Sequence, residues 1–200
     1  MRISNYGVEL QSMVESDLEM VRNWRNRSDV SEFMFFQEEI TPEQQHEWFE
    51  SLSNKDVYLM ILHQSEKIGV INVKNINWWK RSGEAGIFIG DPTFRNTPIS
   101  MQAIFTMMDA FFYDFRFKSL TATVKSNNEN AIDFNQQLGY KVMSEIDDKI
   151  NMEVFRSPYT EARTKFTIIL EKFCQSAPEM ELSKNEKRMF QQPFWSLSNF

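Results

Sequence analysis

Apolar positions along the chain follow two periods, one near two residues and one near four. Alternation within residues 5–13 puts Val8 and Leu10 on one face and predicts a first strand. Ser16-Asp17-Leu18-Glu19 has the spacing of a capping box, and Leu18, Val21 and Trp24 follow it at helical spacing. A helix is therefore expected to end near Arg25 and Asn26, with a shorter helical piece over 30–35. Thr41-Pro42-Glu43-Gln44 repeats the box and adds proline at the first helical position, predicting a helix to about residue 52 with Trp48 or Phe49 turned inward. Residues 57–62 and 68–76 read as two strands around a turn at 65–67.

The organising stretch is 83–115. Its first part runs into the apolar Ile87, Phe88 and Ile89, and Gly90-Asp91-Pro92 then breaks the strand. Thr97 is the expected N-cap of a helix with Pro98 at its first position and Ile104, Met107, Met108, Phe111 and Phe115 along one stripe. A buried strand thus feeds a short loop that opens onto the free N–H groups of a long helix, a geometry suited to a phosphate-bearing ligand. Downstream, the pattern predicts a strand over 120–124, a helix over 128–138 stopped by Gly139, a strand starting at 140–143 and another within 166–170. Residues 151–164 fit neither period. The order of elements implies a mixed α/β (α+β) domain rather than a regular alternation of strands and helices. It is expected to fill 1–175, with 176–200 as a C-terminal appendage whose Phe194, Trp195 and Phe200 form a docking patch for its own domain or for a second subunit in a homodimer.

Composition narrows the function. A hydrophobic fraction of 42% over 200 residues, with 18 Phe, is enough for a real core and argues against disorder. A formal charge of −6 argues against a broad nucleic-acid surface or an anionic membrane as partner. No apolar run is long enough to span a bilayer, and MRISNYGVEL lacks the apolar core of a secretion signal. Cys174 is alone, so a reducing cytoplasm is the expected setting. Two His, at 46 and 63, give no spaced metal-ligand set, and no metal is expected.

Two stretches, GEAGIFIGDPTFRNTPIS at 83–100 and NNENAIDFNQQLGY at 127–140, resemble the GNAT superfamily of acyl-CoA N-acyltransferases, a resemblance that covers roughly residues 8–172. WRN at 24–26, Met34, ITPEQQHEWF at 40–49 and EKIGVINVKNIN at 66–77 look most like one branch. That branch acetylates the 4-amino group of nucleotide-linked amino sugars, as in pseudaminic-acid synthesis; protein N-terminal acetyltransferases share much of the pattern. The resemblance implies the GNAT fold: a mostly antiparallel twisted sheet with one splayed strand pair, flanked by helices. It also implies acetyl-CoA (coenzyme A) as cofactor and a small-molecule amine as acceptor.

Site residues follow from the same matches. Phe88, Ile89 and Gly90 occupy the family's pantetheine position, and Arg95, Asn96, Thr97, Ile99 and Ser100 its pyrophosphate loop. The family's loop pattern carries two glycines where this chain has Pro98 and Ser100, which removes one N–H donor and restricts close backbone approach. Arg95 and the hydroxyls of Thr97 and Ser100 are positioned to compensate; the alternative is that Thr97-Pro98 only starts a packed helix. Asn128 and Asn130 either bond the cofactor or cap their helix. Glu84 matches a strand carboxylate that takes the amine proton in some members, and is otherwise an exposed strand glutamate. The amide of Phe88 or Ile89 would face the thioester oxygen. Many relatives place Tyr where this chain has Asn135, which supplies no proton at neutral pH but can hydrogen-bond the sulfur. On the acceptor side, Trp24, Arg25, Asn26, Met34 and His46 are candidates, with core packing or a surface ion pair as the alternative fates. A catalytically weak acyl-CoA-binding scaffold is the reading from a different class, motivated by Pro98, Ser100 and Asn135 together.

Overall fold

The computed structural model describes residues 1–95, 97–174 and 177–191; Asn96 and the aromatic positions Phe194, Trp195 and Phe200 lie outside the described residues. Nine strands form one sheet in the order β7-β8-β6-β5-β4-β3-β2-β1-β9 among the described residues. They are β1 (Arg2–Asn5), β2 (Val8–Ser12), β3 (Val57–His63), β4 (Glu66–Asn77), β5 (Ser82–Ile89), β6 (Ser119–Lys125), β7 (Lys141–Ile146), β8 (Lys149–Phe155) and β9 (Glu179–Glu181). Every neighbouring pair is antiparallel except β5 with β6, which is parallel. The helices are α1 (Leu18–Asn26), α2 (Ser28–Ser31), α3 (Pro42–Glu50), α4 (Ile99–Asp109), α5 (Glu129–Gln137), α6 (Arg156–Glu171) and α7 (Lys184–Gln191). The fold class is the mixed α/β one expected from the order of elements.

The sheet divides two cores. On one face α4 carries the fully buried Ala103, Phe105 and Met108 into a cluster completed by Phe111, Phe112, Leu120 and Val154. Phe105 reaches Tyr159 and Phe166 of α6 at ring-centroid distances of 6.1 and 5.2 Å. On the other face, α1 and α3 cover a smaller cluster of Met13, Leu18, Val21, Met60 and Val70, with Trp24, Trp48 and Phe88 against it. Alternation along β5 follows from this division: Ala85, Ile87 and Ile89 belong to the α4 core and Phe88 to the α1/α3 core.

Several local expectations hold for their stated reasons. Thr41 caps α3 through its Oγ1, which accepts from the Gln44 amide at 3.2 Å, while Gln44 Oε1 accepts from the Thr41 amide at 2.9 Å. Gly139 ends α5 with φ of 93°, and a Cβ there would lie 2.9 Å from the Pro158 carbonyl group.

Other expectations change. The predicted strand over 5–13 starts later, at Val8, because Tyr6 and Gly7 take positive φ and turn the chain from a preceding strand, β1, that pairs with it. Ser16 does not cap α1; the Asp17 carboxylate instead accepts from the Val14 amide at 3.0 Å. The helical piece over 30–35 shrinks to Ser28–Ser31. Residues 166–170 are not a strand but the last turns of α6. Its inward stripe is Tyr159, Ala162, Phe166 and Leu170, and the exposed Ile168 and Ile169 make that helix resemble a continuous apolar strand. The helix start after the loop falls one residue late, at Ile99, and 110–114 closes with a wider turn in which Phe115 N–H bonds Ala110 C=O. Residues 177–191, set apart by composition, return to the domain: β9 pairs with β1, and Phe190 of α7 stacks on Phe115 with centroids 3.7 Å apart.

Candidate functional site

β5 and β6 pair only at Ser82↔Ser119, Gly83↔Leu120 and Glu84↔Thr121, after which the strands part. The Gly90 amide donates to Ile68 C=O at 2.8 Å, which fixes the parity of the antiparallel ladder with β4. Residues 86 and 88 therefore spend their backbone groups on β4, as the Gly90 amide does. Ala85 still faces the last β6 pair, while Ile87 and Ile89 direct theirs into the fork, where β6 no longer answers them. One of these groups is taken: Ile89 C=O accepts from Arg95 Nε at 3.3 Å. Of the two residues expected to serve a ligand with their amides, Ile89 keeps that geometry and Phe88 does not, since adjacent strand residues face opposite ways. Ile87 takes its place.

The loop after β5 is tightly bonded. Asp91 accepts from the Thr93 amide and hydroxyl at 2.9 and 2.7 Å. Thr97 donates its hydroxyl to Phe94 C=O at 2.6 Å and accepts only loosely, at 3.5 Å, from the Ile99 amide. Pro98 is exposed, and its carbonyl receives the Gln102 amide at 2.9 Å. No acceptor among the described residues meets the Ser100 or Met101 amide. The missing Pro98 N–H is thus one of the donors a helix start leaves unpaired in any case.

Arg95 anchors this loop to α2. Its Nη1 pairs with Asp29, which also takes the Arg27 guanidinium in a two-pronged contact, and Arg27 Nη1 donates to Gly90 C=O at 2.9 Å. The hydrogen bonds from Arg27, and then from Arg95, hold the Asp29 carboxyl well below the usual carboxylate range. Arg95 Nη2 is shielded from solvent and has no partner among the described residues. A guanidinium nitrogen and two helix-start amides without acceptors among the described residues form, with the Ser100 hydroxyl, a donor set that fits a diphosphate.

The acceptor candidates lie on the α1/α3 face. Trp24 packs so closely over Gly90 that a Cβ there would fall 2.1 Å from its ring. Arg25 extends over the Phe88 ring, 6.0 Å from its centroid, half-buried and with no hydrogen-bond or ion-pair partner among the described residues. Burial lowers its pKa. Tyr58, whose register partner on β4 is Asn72, stands beside it, its pKa pushed up to about 12, mainly by burial. Glu84 is held by Lys74 at 3.3 Å and by Asn75 Nδ2 at 3.1 Å.

The remaining candidates are placed as follows. Asn26 bonds Ile40 both ways, Nδ2 to its carbonyl and Oδ1 from its amide, each at 2.9 Å, and so pins the segment before α3. Met34 is half-buried in that segment beside the exposed Phe33, Phe35 and Phe36. His46 is half-exposed on α3, 3.3 Å from Glu50 and 3.8 Å from Glu15, away from this group. Asn128 caps α5 by accepting the Ala131 amide at 3.2 Å, and Asn130 is exposed. Asn135 Nδ2 lies 3.8 Å from Met152 Sδ, and Met152 pairs with Ala122, the first β6 residue past the fork. The sequence reading missed Arg27, Asp29, Tyr58 and Ile87. Alternation could have found Ile87, while the first three depend on long-range contacts.

A mostly antiparallel sheet that forks at its one parallel pair, with a donor-rich loop leading into a helix beside the fork, is the architecture of an N-acyltransferase. The family model for the acetyltransferase (GNAT) domain matches residues 8–141, and the chain belongs to that family. A curated relative, an uncharacterized protein of Methanocaldococcus jannaschii, is 24% identical over 136 residues. The match takes in 66% of this chain but 28% of the relative, so the chain spans little more than a quarter of that relative's length. A solved domain from the same organism superposes with a TM-score of 0.66 at 23% identity, covering 74% of this chain and 97% of that one. Spermidine N-acetyltransferase from Vibrio cholerae, in complex with CoA and spermine, gives a TM-score of 0.69 at 19% identity, with coverages of 78% and 99%. An apo nucleotide-linked sugar GNAT gives 0.72 at 17% identity, with coverages of 85% and 98%. At these identities the likeness is one of fold. It divides between polyamine and sugar enzymes and does not single out the pseudaminic-acid branch.

Proposed function

We propose that this protein transfers acetyl from acetyl-CoA to a primary amine on a nucleotide-linked sugar. Bound at the fork, the thioester supplies an activated acyl group. The chain's own residues do the rest. Ile87 and Ile89 offer backbone groups to the pantetheine arm and an amide to the carbonyl oxygen as charge builds on it. Arg95, the Ser100 hydroxyl and the first amides of α4, from Ile99 on, hold the diphosphate. Glu84 receives the proton of the attacking amine, and Asn135 steadies the departing sulfur by a hydrogen bond rather than by a proton.

The observation that carries the acceptor class is Arg25. A half-buried guanidinium without a carboxylate bears a desolvation cost that an anionic ligand would offset. A polyamine would meet a like charge at Arg25; of the two carboxylates whose field reaches the adjacent Tyr58, Glu84 is paired with Lys74 and Asp56 is bonded to Ser53. A nucleotide-linked sugar brings phosphate to Arg25 and a flat base to the aromatic surface of Phe88 and Tyr58.

Calorimetry with acetyl-CoA, followed by free-thiol release with amino-sugar nucleotides, spermidine and N-terminal peptides, tests the reading. Turnover confined to the amino-sugar nucleotides is expected. Turnover of spermidine or peptides alone refutes the acceptor class. No binding at near-millimolar acetyl-CoA refutes the transferase reading and leaves a scaffold.

A further inference from the structure

Asp29, the carboxylate that Arg27 and Arg95 share, joins the two halves of the site described above. It sits on α2, directly after the helix that carries Arg25, and it binds Arg27 and Arg95 together. Those two arginines in turn hold consecutive carbonyls at the end of β5, Gly90 through Arg27 and Ile89 through Arg95. The triad therefore fixes the last turn of the strand, the loop and the acceptor segment as one unit. Two of the three nitrogens of Arg95 are occupied by protein acceptors, and Nη2 is left without one among the described residues. A shielded N–H₂ group without an acceptor is destabilising, and that cost is recovered when an oxygen arrives.

From this arrangement, and resting on the acetyl-CoA reading above, we infer that Asp29 is a positioning residue for the cofactor's diphosphate. By holding Nη1 of Arg95 while Ile89 C=O holds Nε, it leaves Nη2 as the donor presented to phosphate. Side-chain entropy is spent in folding rather than in binding, the usual gain from preorganisation.

The inference gives a sign that simple electrostatics does not. Asp29→Asn removes a negative charge beside a cationic loop, so on charge alone it strengthens anion binding. A carboxylate that merely occupies Arg95 until phosphate displaces it predicts the same strengthening. Positioning predicts the reverse: Asp29→Asn weakens coenzyme A binding about five- to tenfold, a loss equivalent to one well-placed interaction. Pantetheine, which lacks the diphosphate, binds wild type and variant alike, and kcat at saturating acetyl-CoA changes little. Asp29→Glu restores part of the affinity.

Calorimetry of wild type, Asp29→Asn and Asp29→Glu with coenzyme A and with pantetheine, alongside thermal melts, reads these values. Equal or tighter coenzyme A binding by Asp29→Asn overturns the inference and leaves the acetyl-CoA reading intact. Wild type that binds no coenzyme A overturns both. If Asp29→Asn does not fold, Arg95→Gln and Arg95→Gln/Asp29→Glu carry the test. Their affinities should match, and a further loss in the double variant would show that Asp29 does not act through Arg95.

Discussion

Replacing Gly90 by alanine tests whether the contact with Trp24, rather than backbone freedom, requires glycine at the end of β5. Its φ is not in the left-handed region, so alanine can take the same backbone conformation. On that ground alone Gly90→Ala would stabilise the fold by about 0.4–1 kcal/mol, through a less flexible unfolded chain. The new methyl, however, would lie 2.1 Å from Cδ2 and 2.4 Å from Cε3 of Trp24, well inside van der Waals contact. Forcing such a group into a packed site costs about 1–3 kcal/mol. The net expectation is a loss of roughly 1–2 kcal/mol after the entropic gain is subtracted. For a chain of this size that is a fall of about 2–8 °C in Tm. Thermal and urea unfolding of wild type, Gly90→Ala, Trp24→Ala and the double variant measure it. With the indole removed the methyl meets space, and Gly90→Ala should become neutral within about 0.5 kcal/mol or mildly stabilising. A Gly90→Ala protein as stable as wild type, or an equal loss with and without Trp24, would refute the reasoning.

Arg25→Met should raise the KM for an amino-sugar nucleotide about tenfold or more, the worth of a charge-assisted hydrogen bond, while leaving Tm nearly unchanged because no acid loses its partner. An unchanged KM in steady-state thiol-release assays would remove Arg25 from the acceptor site. Glu84→Gln should lower kcat about a hundredfold with little change in the KM for acetyl-CoA, and a pH–rate profile identical to wild type would exclude it as the proton acceptor. Burial, reinforced by Asp109, raises the pKa of Tyr6 and Tyr159 above the ordinary tyrosine value of 10.0, and burial alone raises that of Tyr140. The sign follows from linkage: the unfolded chain ionises these phenols first, so stability is intact below about pH 10 and falls as pH rises beyond it. Urea midpoints that stay flat from about pH 9 to 11.5 would contradict this.

How much of this was legible beforehand depended on the range of the forces involved. The α3 cap, the Gly139 stop and the strand before the loop rest on interactions within a few residues, and sequence spacing exposes those. α6 was misread because its outer face carries Ile168 and Ile169, which solvent would normally exclude, so its period was obscured. The loop chemistry was visible in Arg95 and Ser100, but not that Arg95 is shared between Ile89 and Asp29. That pairing spans 66 positions and leaves no local trace. Asn26 and Asn128 illustrate the converse. Each was a credible ligand contact by type, and each spends its side chain on a nearby backbone group.

The fork between β5 and β6 also bears on mechanics. With three residue pairs joining them, the β7-β8-β6 wing and the remaining strands share little backbone bonding, and the apolar core on the α4 face spans the two. An extended ligand seated there would act as a missing rung, bonding across the gap that the strands leave open. Saturation should therefore slow amide exchange on β6 and β8 as well as around the loop, tightening the far wing beyond the one strand it touches.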